Sequence, residues 1–316
     1  MKGITLATAA VPLLLSVGVA AYKLQWDVTS SNFLDHFVFD TETDPSNGFV
    51  TYVDESRASS GGLYSTSNGQ IFLGVDNTTV LDSSATGRNS VRVYSQNTFS
   101  SGILITDFKH LPVAVCGIWP AYWTINNLAD PYGEIDIIEA YDDVSNAYTS
   151  LHTSSNCTVS DTDFTGTDVR TDCTLSTSAS GCGVESTASQ FGAGFNSAGG
   201  GVWVLSLSDS LQIWVFTRDN IPADITDGSP NPSGWGTPLF EFDSTSDCGV
   251  SSNFLNQTVI FNIDFCGEED AGGKEWATWT DCLATTGVST CNAYVAANPA
   301  TYSETNFVIN SIKLYQ

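Results

Sequence analysis

Short runs in which apolar and polar residues alternate recur along the chain, separated by clusters of Gly, Ser, Asn and Asp. Such runs read as strands, because branched and aromatic side chains pack well on a pleated surface and successive residues point to opposite faces. They predict strands at residues 70–75, 90–94, 101–108, 133–140, 148–152, 202–207, 211–216, 259–265 and 307–315. The runs at 202–207 and 211–216 flank Ser208-Asp209-Ser210, a hairpin signature. No long segment has a helical period, and short helical turns are expected only near residues 31–34 and 291–295. Many short strands joined by Gly- and Ser-containing turns predict an all-β sandwich of antiparallel sheets. Residues 155–200, rich in Ser, Thr and Gly, read as a long insertion pinned by disulfides. Neither an internal repeat nor a shift in composition marks a second domain, so residues 22–316 are read as one.

The alternation breaks at Gly133-Glu134-Ile135-Asp136-Ile137-Ile138-Glu139-Ala140. Period two puts Glu134 and Asp136 on one face and Ile135 and Ile137 on the other. The next residue on the acidic face is then Ile138, not Glu139. One extra residue between Ile137 and Glu139, a β-bulge, returns Glu139 to the face of the other acids. Three carboxylates are thus predicted on a solvent-facing sheet surface, with isoleucines behind them. Close carboxylates repel, so at least one should titrate high, leaving one ionised and one protonated near neutral pH. Glycoside hydrolysis uses that division between nucleophile and proton donor. A solvated acidic face or a cation site is the alternative reading of an isolated acidic cluster. No metal-ligand spacing accompanies this one, and neither a metal nor a cofactor is expected.

Composition narrows the partners. The net charge is −25, from 10 Lys and Arg against 35 Asp and Glu. Nucleic-acid binding is disfavoured, since neutralising phosphates needs basic patches; a neutral polysaccharide meets no such objection. The start, Met1-Lys2-Gly3-Ile4 and an apolar run through Leu13-Leu14-Leu15, reads as a secretory signal peptide over residues 1–21, with Val19-Ala20-Ala21 before the cut. That run is too short to span a membrane, and no later stretch is long and apolar enough. Eight cysteines (Cys116, Cys157, Cys173, Cys182, Cys248, Cys266, Cys282 and Cys291) suggest four disulfides of undetermined pairing. Sequons at Asn77, Asn156 and Asn256 suit a secreted glycoprotein. An aspartic protease, another secreted acidic β class, needs a pair of Asp-Thr/Ser-Gly motifs that the chain lacks in a matching context.

Taken together these residues resemble glycoside hydrolase family 16. The acidic strand is similar to the family's E-x-D-x-x-E signature in its bulged, laminarinase-type form; lichenases of the family have one residue fewer. Gly87-Arg88-Asn89-Ser90-Val91-Arg92, Cys116-Gly117-Ile118-Trp119-Pro120-Ala121-Tyr122-Trp123, Leu151-His152-Thr153, Trp235-Gly236-Thr237-Pro238, Phe265-Cys266-Gly267 and Ile312-Lys313-Leu314-Tyr315-Gln316 extend the resemblance across essentially all of residues 22–316. It implies a β-jelly-roll sandwich of the concanavalin A-like type, with one concave sheet forming an open glycan cleft. Glu134 would be the nucleophile, Glu139 the general acid and then base, and Asp136 the residue that bonds and tunes the nucleophile. Such a pair retains anomeric configuration and needs carboxyl groups about 5–5.5 Å apart.

For substrate binding, Trp119 and Trp123 share a face if they lie on a strand, either together in the core or together under sugar rings, with the family favouring the sugar. A lone histidine such as His152 is usually structural, but the resemblance places it beside the acids. Arg92 and Asn89 match positions lining the glycone side; the arginines could instead be ordinary surface charges. Two departures bear on subsites. Asp130 stands where an aromatic is common, in a segment one residue short, and Glu268-Glu269-Asp270-Ala271-Gly272 replaces an expected Trp, for which Trp276 or Trp279 could substitute. The resemblance implies a secreted, monomeric endo-β-glucanase hydrolysing β-1,3 or mixed β-1,3/1,4 glucans, with no membrane partner. A cell-wall glucan transglycosylase using the same intermediate and a non-catalytic glucan-binding protein are the rivals.

Overall fold

Alternation of apolar and polar positions resolves into two antiparallel sheets in a computed structural model that describes residues 22–82, 84–126, 131–160, 163–178, 181–245, 248–267, 274–278 and 280–316. Residues 1–21, expected from the sequence to be a signal peptide, Asn127, Asp130, residues 268–272 and Trp279 lie outside the described residues. One sheet runs β16 (Phe240–Asp243), β15 (Ser210–Thr217), β14 (Gly201–Leu207), β8 (Gly102–His110), β18 (Asn306–Tyr315), β5 (Ile71–Gly74), β4 (Tyr64–Ser65), with β1 (Leu24–Val28) also paired to β18. The other runs β12 (Thr167–Arg170), β13 (Cys182–Glu185), β11 (Tyr148–Thr153), β10 (Gly133–Glu139), β9 (Ile118–Ile125), β17 (Gln257–Phe265), β7 (Arg92–Phe99), β2 (Phe37–Phe39). A small parallel pair, β3 (Val50–Tyr52) and β6 (Arg88–Ser90), flanks them. Helices are short, and those at Phe33–His36 and Cys291–Ala297 fall where turns are expected.

Aromatic side chains join the inner faces of the sheets. Tyr122 stacks on Phe261 at 4.5 Å, and both meet Phe108, while Phe261 also meets Phe307. The Tyr122 hydroxyl, buried among them, is satisfied by Thr106 Oγ1 at 2.6 Å. Ile135, Ile137 and Ile138 are fully buried behind the acidic strand. Outside the first sheet, Trp214, Trp235 and Tyr315 form a second apolar layer with Ile103, Ile105, Val202 and Val204.

The hairpin at β14–β15 has the expected loop. Residues 155–200 do more than insert: β12 and β13 add two edge strands beside β11. The disulfides are Cys116–Cys282, Cys157–Cys248, Cys173–Cys182 and Cys266–Cys291. Arg88 is no surface charge. It is fully buried and donates to the carbonyls of Asp76 (2.8 Å), Thr79 (3.0 Å), Val295 (2.6 Å) and Ala296 (3.2 Å), tying distant loops together.

Candidate active site

The bulge in β10 is visible in its register with both neighbours. Against β9, Asp136 faces Trp123 and Ile138 faces Tyr122, so Ile137 is the additional residue. Against β11, Asp136 faces Ser150 and Glu139 faces Tyr148, so Ile137 and Ile138 together oppose Thr149. The extra position is thus the Ile137–Ile138 pair rather than Ile138 alone, and both side chains turn inward. The Thr149 hydroxyl donates to the Ile137 carbonyl at 2.9 Å, satisfying an acceptor that the bulge takes out of the ladder. At the strand's start, a Cβ on Gly133 would run into the carbonyl of Asn253, so only glycine fits.

On the outer face, strand pairing lines residues into rows across the sheet. One row is Arg92 (β7), Asn262 (β17), Ala121 (β9), Glu139 (β10), Tyr148 (β11), Glu185 (β13). The next holds Ile260, Trp123, Asp136 and Ser150, and a third holds Thr258, Ile125, Glu134 and His152. Glu134 and Glu139 are half-buried and Asp136 is 5% exposed.

Each acid has its own partner. The Tyr132 hydroxyl donates to Glu134. His152 Nε2 lies 3.1 Å from Asp136 Oδ2. The Trp119 indole N–H donates to Glu139 Oε1 at 2.7 Å. Trp119 stands against Gly267, whose φ of +71° and missing Cβ leave room for the indole, which accounts for the glycine of Phe265-Cys266-Gly267. Trp123 donates to Asn262 Oδ1 at 2.7 Å. Arg92 sits over the Trp123 ring at 5.5 Å and the Tyr52 ring at 5.9 Å and pairs with Asp40 at 3.4 Å. Asn89, opposite Thr51 on the small β3–β6 pair, makes no side-chain bond to the acids among the described residues. Trp276 is fully buried, donating to Val288, and so packs in the core rather than replacing a sugar-binding Trp.

Electrostatics divide the acids. Burial, then the charge of Asp136, pushes Glu134 up to about 8 and Glu139 up to about 7. Both glutamates are raised by the same two causes, Glu134 further than Glu139. Tyr132 and the charge of His152 both oppose protonation of Glu134. Burial opposes the charged ring of His152, but the hydrogen bond and charge of Asp136 and the charges of Glu134 and Glu139 outweigh it and raise it to about 9. The ligand-type atoms of Glu134, Asp136 and His152 lie within 4.8 Å of one another, with His152 Nε2 engaged by Asp136. The grouping of Cys116, Asp143 and Cys282 involves a disulfide. Replacing Trp119 by Phe removes a donor that holds Glu139 down. The alkaline limb of kcat/KM is expected to move to higher pH by up to about 1 unit, with activity reduced about 10-fold; a pH–rate profile measures both.

Several residues of this face carry no signal in the sequence. Tyr132 and Asn262 matter only through contacts. Asp264, buried beside Asp44, is pushed up to about 8 by burial and then by Asp44, and Ser46 Oγ bridges the two carboxyls at 2.8 and 2.9 Å.

A two-sheet antiparallel sandwich carrying a bulged strand of three acids on its outer face is the architecture of the jelly-roll glycoside hydrolases. The family model described as the XgeA-like catalytic domain of glycoside hydrolase family 16 matches residues 37–315, and the chain belongs to that family. It is 38% identical over 306 residues to a protein of Aspergillus niger named a probable endo-1,3(4)-beta-glucanase, covering 96% of this chain but only 41% of that protein. The chain thus spans less than half the length of that curated relative. An elongating family 16 beta-1,3-glucosyltransferase superposes with a TM-score of 0.85 at 37% identity, covering 94% of this chain and all of that one. Laminarinase 16A of Phanerochaete chrysosporium, solved with 6-O-glucosyl-laminaritriose in both donor and acceptor sites, gives 0.84 at 33% identity, covering 94% of this chain and all of that one.

Proposed function

We propose that residues 22–316 form one catalytic domain that cleaves β-1,3 or mixed β-1,3/1,4 glucans internally, with retention of configuration. The observation that carries this reading is the set of three carboxyls on one sheet face, each with a separate hydrogen-bonding partner. Glu134, held by Tyr132, attacks the anomeric carbon. Glu139 gives its proton to the departing sugar oxygen, then takes one from the incoming water. Asp136, paired with His152, lies between them, and its charge raises both glutamates. Trp119, Trp123 and Arg92 offer flat surfaces and donors for sugar rings, with Arg92 and Asn89 on the glycone side. The chemistry draws on these side chains alone. Four disulfides and the leader-like start support secretion, and the domain is read as acting as a monomer.

Incubation with laminarin, lichenan and a galactan, followed by sizing of products, is the test. Oligosaccharides from the first two and none from the galactan are expected. An intact laminarin together with tight oligosaccharide binding would favour the glucan-binding reading instead. Likeness to an elongating glucosyltransferase supports a second reading, transfer of the glucosyl group to another sugar; chains longer than the substrate identify it.

A further inference from the structure

Residues 40–52 touch the outer face at both ends. At one end Asp40 pairs with Arg92 at 3.4 Å. At the other the Tyr52 hydroxyl accepts from Asn262 Nδ2 at 3.4 Å, and the same Asn262 holds the Trp123 indole. Between these ends the segment is tied to Asp264, which lies two residues beyond Asn262 on β17 and so on the same face. Ser46 Oγ is 2.8 Å from Asp44 Oδ2 and 2.9 Å from Asp264 Oδ2. The Gly48 N–H donates to Asp44 Oδ2 at 2.8 Å, and the Phe49 N–H donates to the Phe265 carbonyl at 2.7 Å. A Cβ on Gly48 would run into the Asp264 carboxyl, so the segment lies this close only with glycine there. Asp44 is 8% exposed and Asp264 2%.

Counting hydrogens sets the charge of this cluster. Ser46 has one hydroxyl hydrogen and faces two carboxyl oxygens, so with both acids ionised one hydrogen would have to serve two buried charges. Asp44 Oδ2 already accepts the Gly48 N–H and is the ionised partner. Asp264 Oδ2, with no other donor among the described residues, carries the extra hydrogen and gives it to Ser46 Oγ, which gives its own to Asp44. Tyr52 of β3 feels both carboxyls and the opposing charge of Arg92 on β7. Glu42 lines the same cavity of about 380 Å³ as Asp44, and Trp119, the neighbour of Asp264 on β9, is uncharged. Neither acid has an ion pair among the described residues. We propose that Asp44, Ser46 and Asp264 form a protonation-dependent clasp on residues 40–52, and that its opening loosens Asp40 and Tyr52, lets Arg92 and Trp123 shift, and weakens glucan binding. The inference rests on the glucan reading above. On opening, the hydrogen of Asp264 passes to solvent, and two buried negative charges are left with one hydroxyl between them. Burial, then the charge of Asp44, pushes Asp264 up to about 8, so the clasp is closed in acid and neutral solution and opens as pH rises through that value. Asp264 acts on the sugar only through these intermediaries and is a positioning residue.

Calorimetric titration of laminaritetraose into Glu134→Gln at pH 6 and pH 9, with and without Asp264→Asn, tests this without turnover. Glu134→Gln alone is expected to bind about 10-fold more weakly at pH 9 than at pH 6. With Asp264→Asn added, an amide N–H supplies the hydrogen to Ser46 at every pH, and the loss should shrink to about twofold or less. Ser46→Ala, in a partly exposed stretch, removes the bridge itself and should already bind about 10-fold more weakly at pH 6. An affinity independent of pH in Glu134→Gln, the same loss after Asp264→Asn, or unchanged binding by Ser46→Ala would overturn the clasp. Infrared difference spectra at pH 7 read the hydrogen without any sugar: the band of a protonated carboxyl should diminish in Asp264→Asn, and an unaltered band would overturn the proposal too. Absence of laminaritetraose binding at either pH, with the band behaving as expected, would instead sink the glucan reading and the effect on affinity with it.

Discussion

Glu134→Gln is expected to lower cleavage of laminarin by on the order of 10⁴-fold or more while leaving the fold intact. Glutamine has nearly the same shape and still accepts the Tyr132 hydroxyl, but it cannot form the glycosyl ester. The same substitution removes a carboxyl that burial and Asp136 hold above its ordinary range. The melting temperature at pH 7 should therefore stay level or rise, since the folded state no longer carries a group that resists ionising. Reducing-sugar release and circular dichroism on one preparation check both halves. Near-normal activity would sink the assignment of Glu134; lost activity together with a lost fold would leave the loss unconnected to chemistry, and Glu134→Asp, which keeps the charge but shortens the reach, would then separate the two.

Thermal stability is expected to be highest in mildly acidic solution and to fall by at least about 5 °C between pH 5 and pH 8.5. Glu134 and Glu139 start from an ordinary value of 4.5 and Asp264 from 3.8, and in the folded chain all three are raised, to about 8, about 7 and about 8. Between the two values the folded state holds protons that the unfolded chain has released, so raising the pH favours unfolding. His152 acts in the same direction. Its folded value of about 9 exceeds the ordinary 6.5, so the stability of its pairing with Asp136 is complete below 6.5 and lost as pH rises through 9. Asp76 works on the other side. Burial alone would raise it, but hydrogen bonds from Thr78 and Thr79 outweigh that and lower it, so its contribution disappears as pH falls below the ordinary carboxylate range. Melting curves from pH 4 to 9 measure the slope, and Asp264→Asn should flatten it without touching the catalytic acids. A melting temperature that stays constant or climbs across this range would show that these groups are not raised.

The strands whose positions are plain in the sequence are the long ones rich in branched and aromatic residues: β8, β14, β15, β17 and β18, of which β14 and β17 are buried on both faces. The acidic strand is legible for the opposite reason, since an alternation that fails by one residue demands a bulge. Locating that bulge needs the neighbours, because only pairing with Tyr122 and Thr149 shows which isoleucines share the extra space. β12 and β13 escape notice because each is only 4 residues long; β12, at the sheet edge, is largely exposed and β13 is rich in small residues. Arg88 looks like a surface charge because its acceptors are carbonyls of residues as remote as Val295, and carbonyls leave no mark on sequence. Tyr132 and Asn262 are invisible for a similar reason: their importance lies in which acid or indole they touch.

The place of β18 constrains how the protein can be made. It lies between β8 and β5 and also carries β1, so it joins strands that precede it by about 200 residues of chain or more. A growing polypeptide that has not yet reached residue 306 therefore leaves β8 and β5 as two open edges facing each other across a gap. Such edges invite pairing with other chains. Cys116–Cys282 and Cys157–Cys248, with sequence separations of 166 and 91, likewise close only after long stretches of chain have emerged. Assembly is thus governed by late, non-local pairing, the slow regime for β proteins, and the quantity of active protein a cell obtains would depend on how long those edges are kept apart.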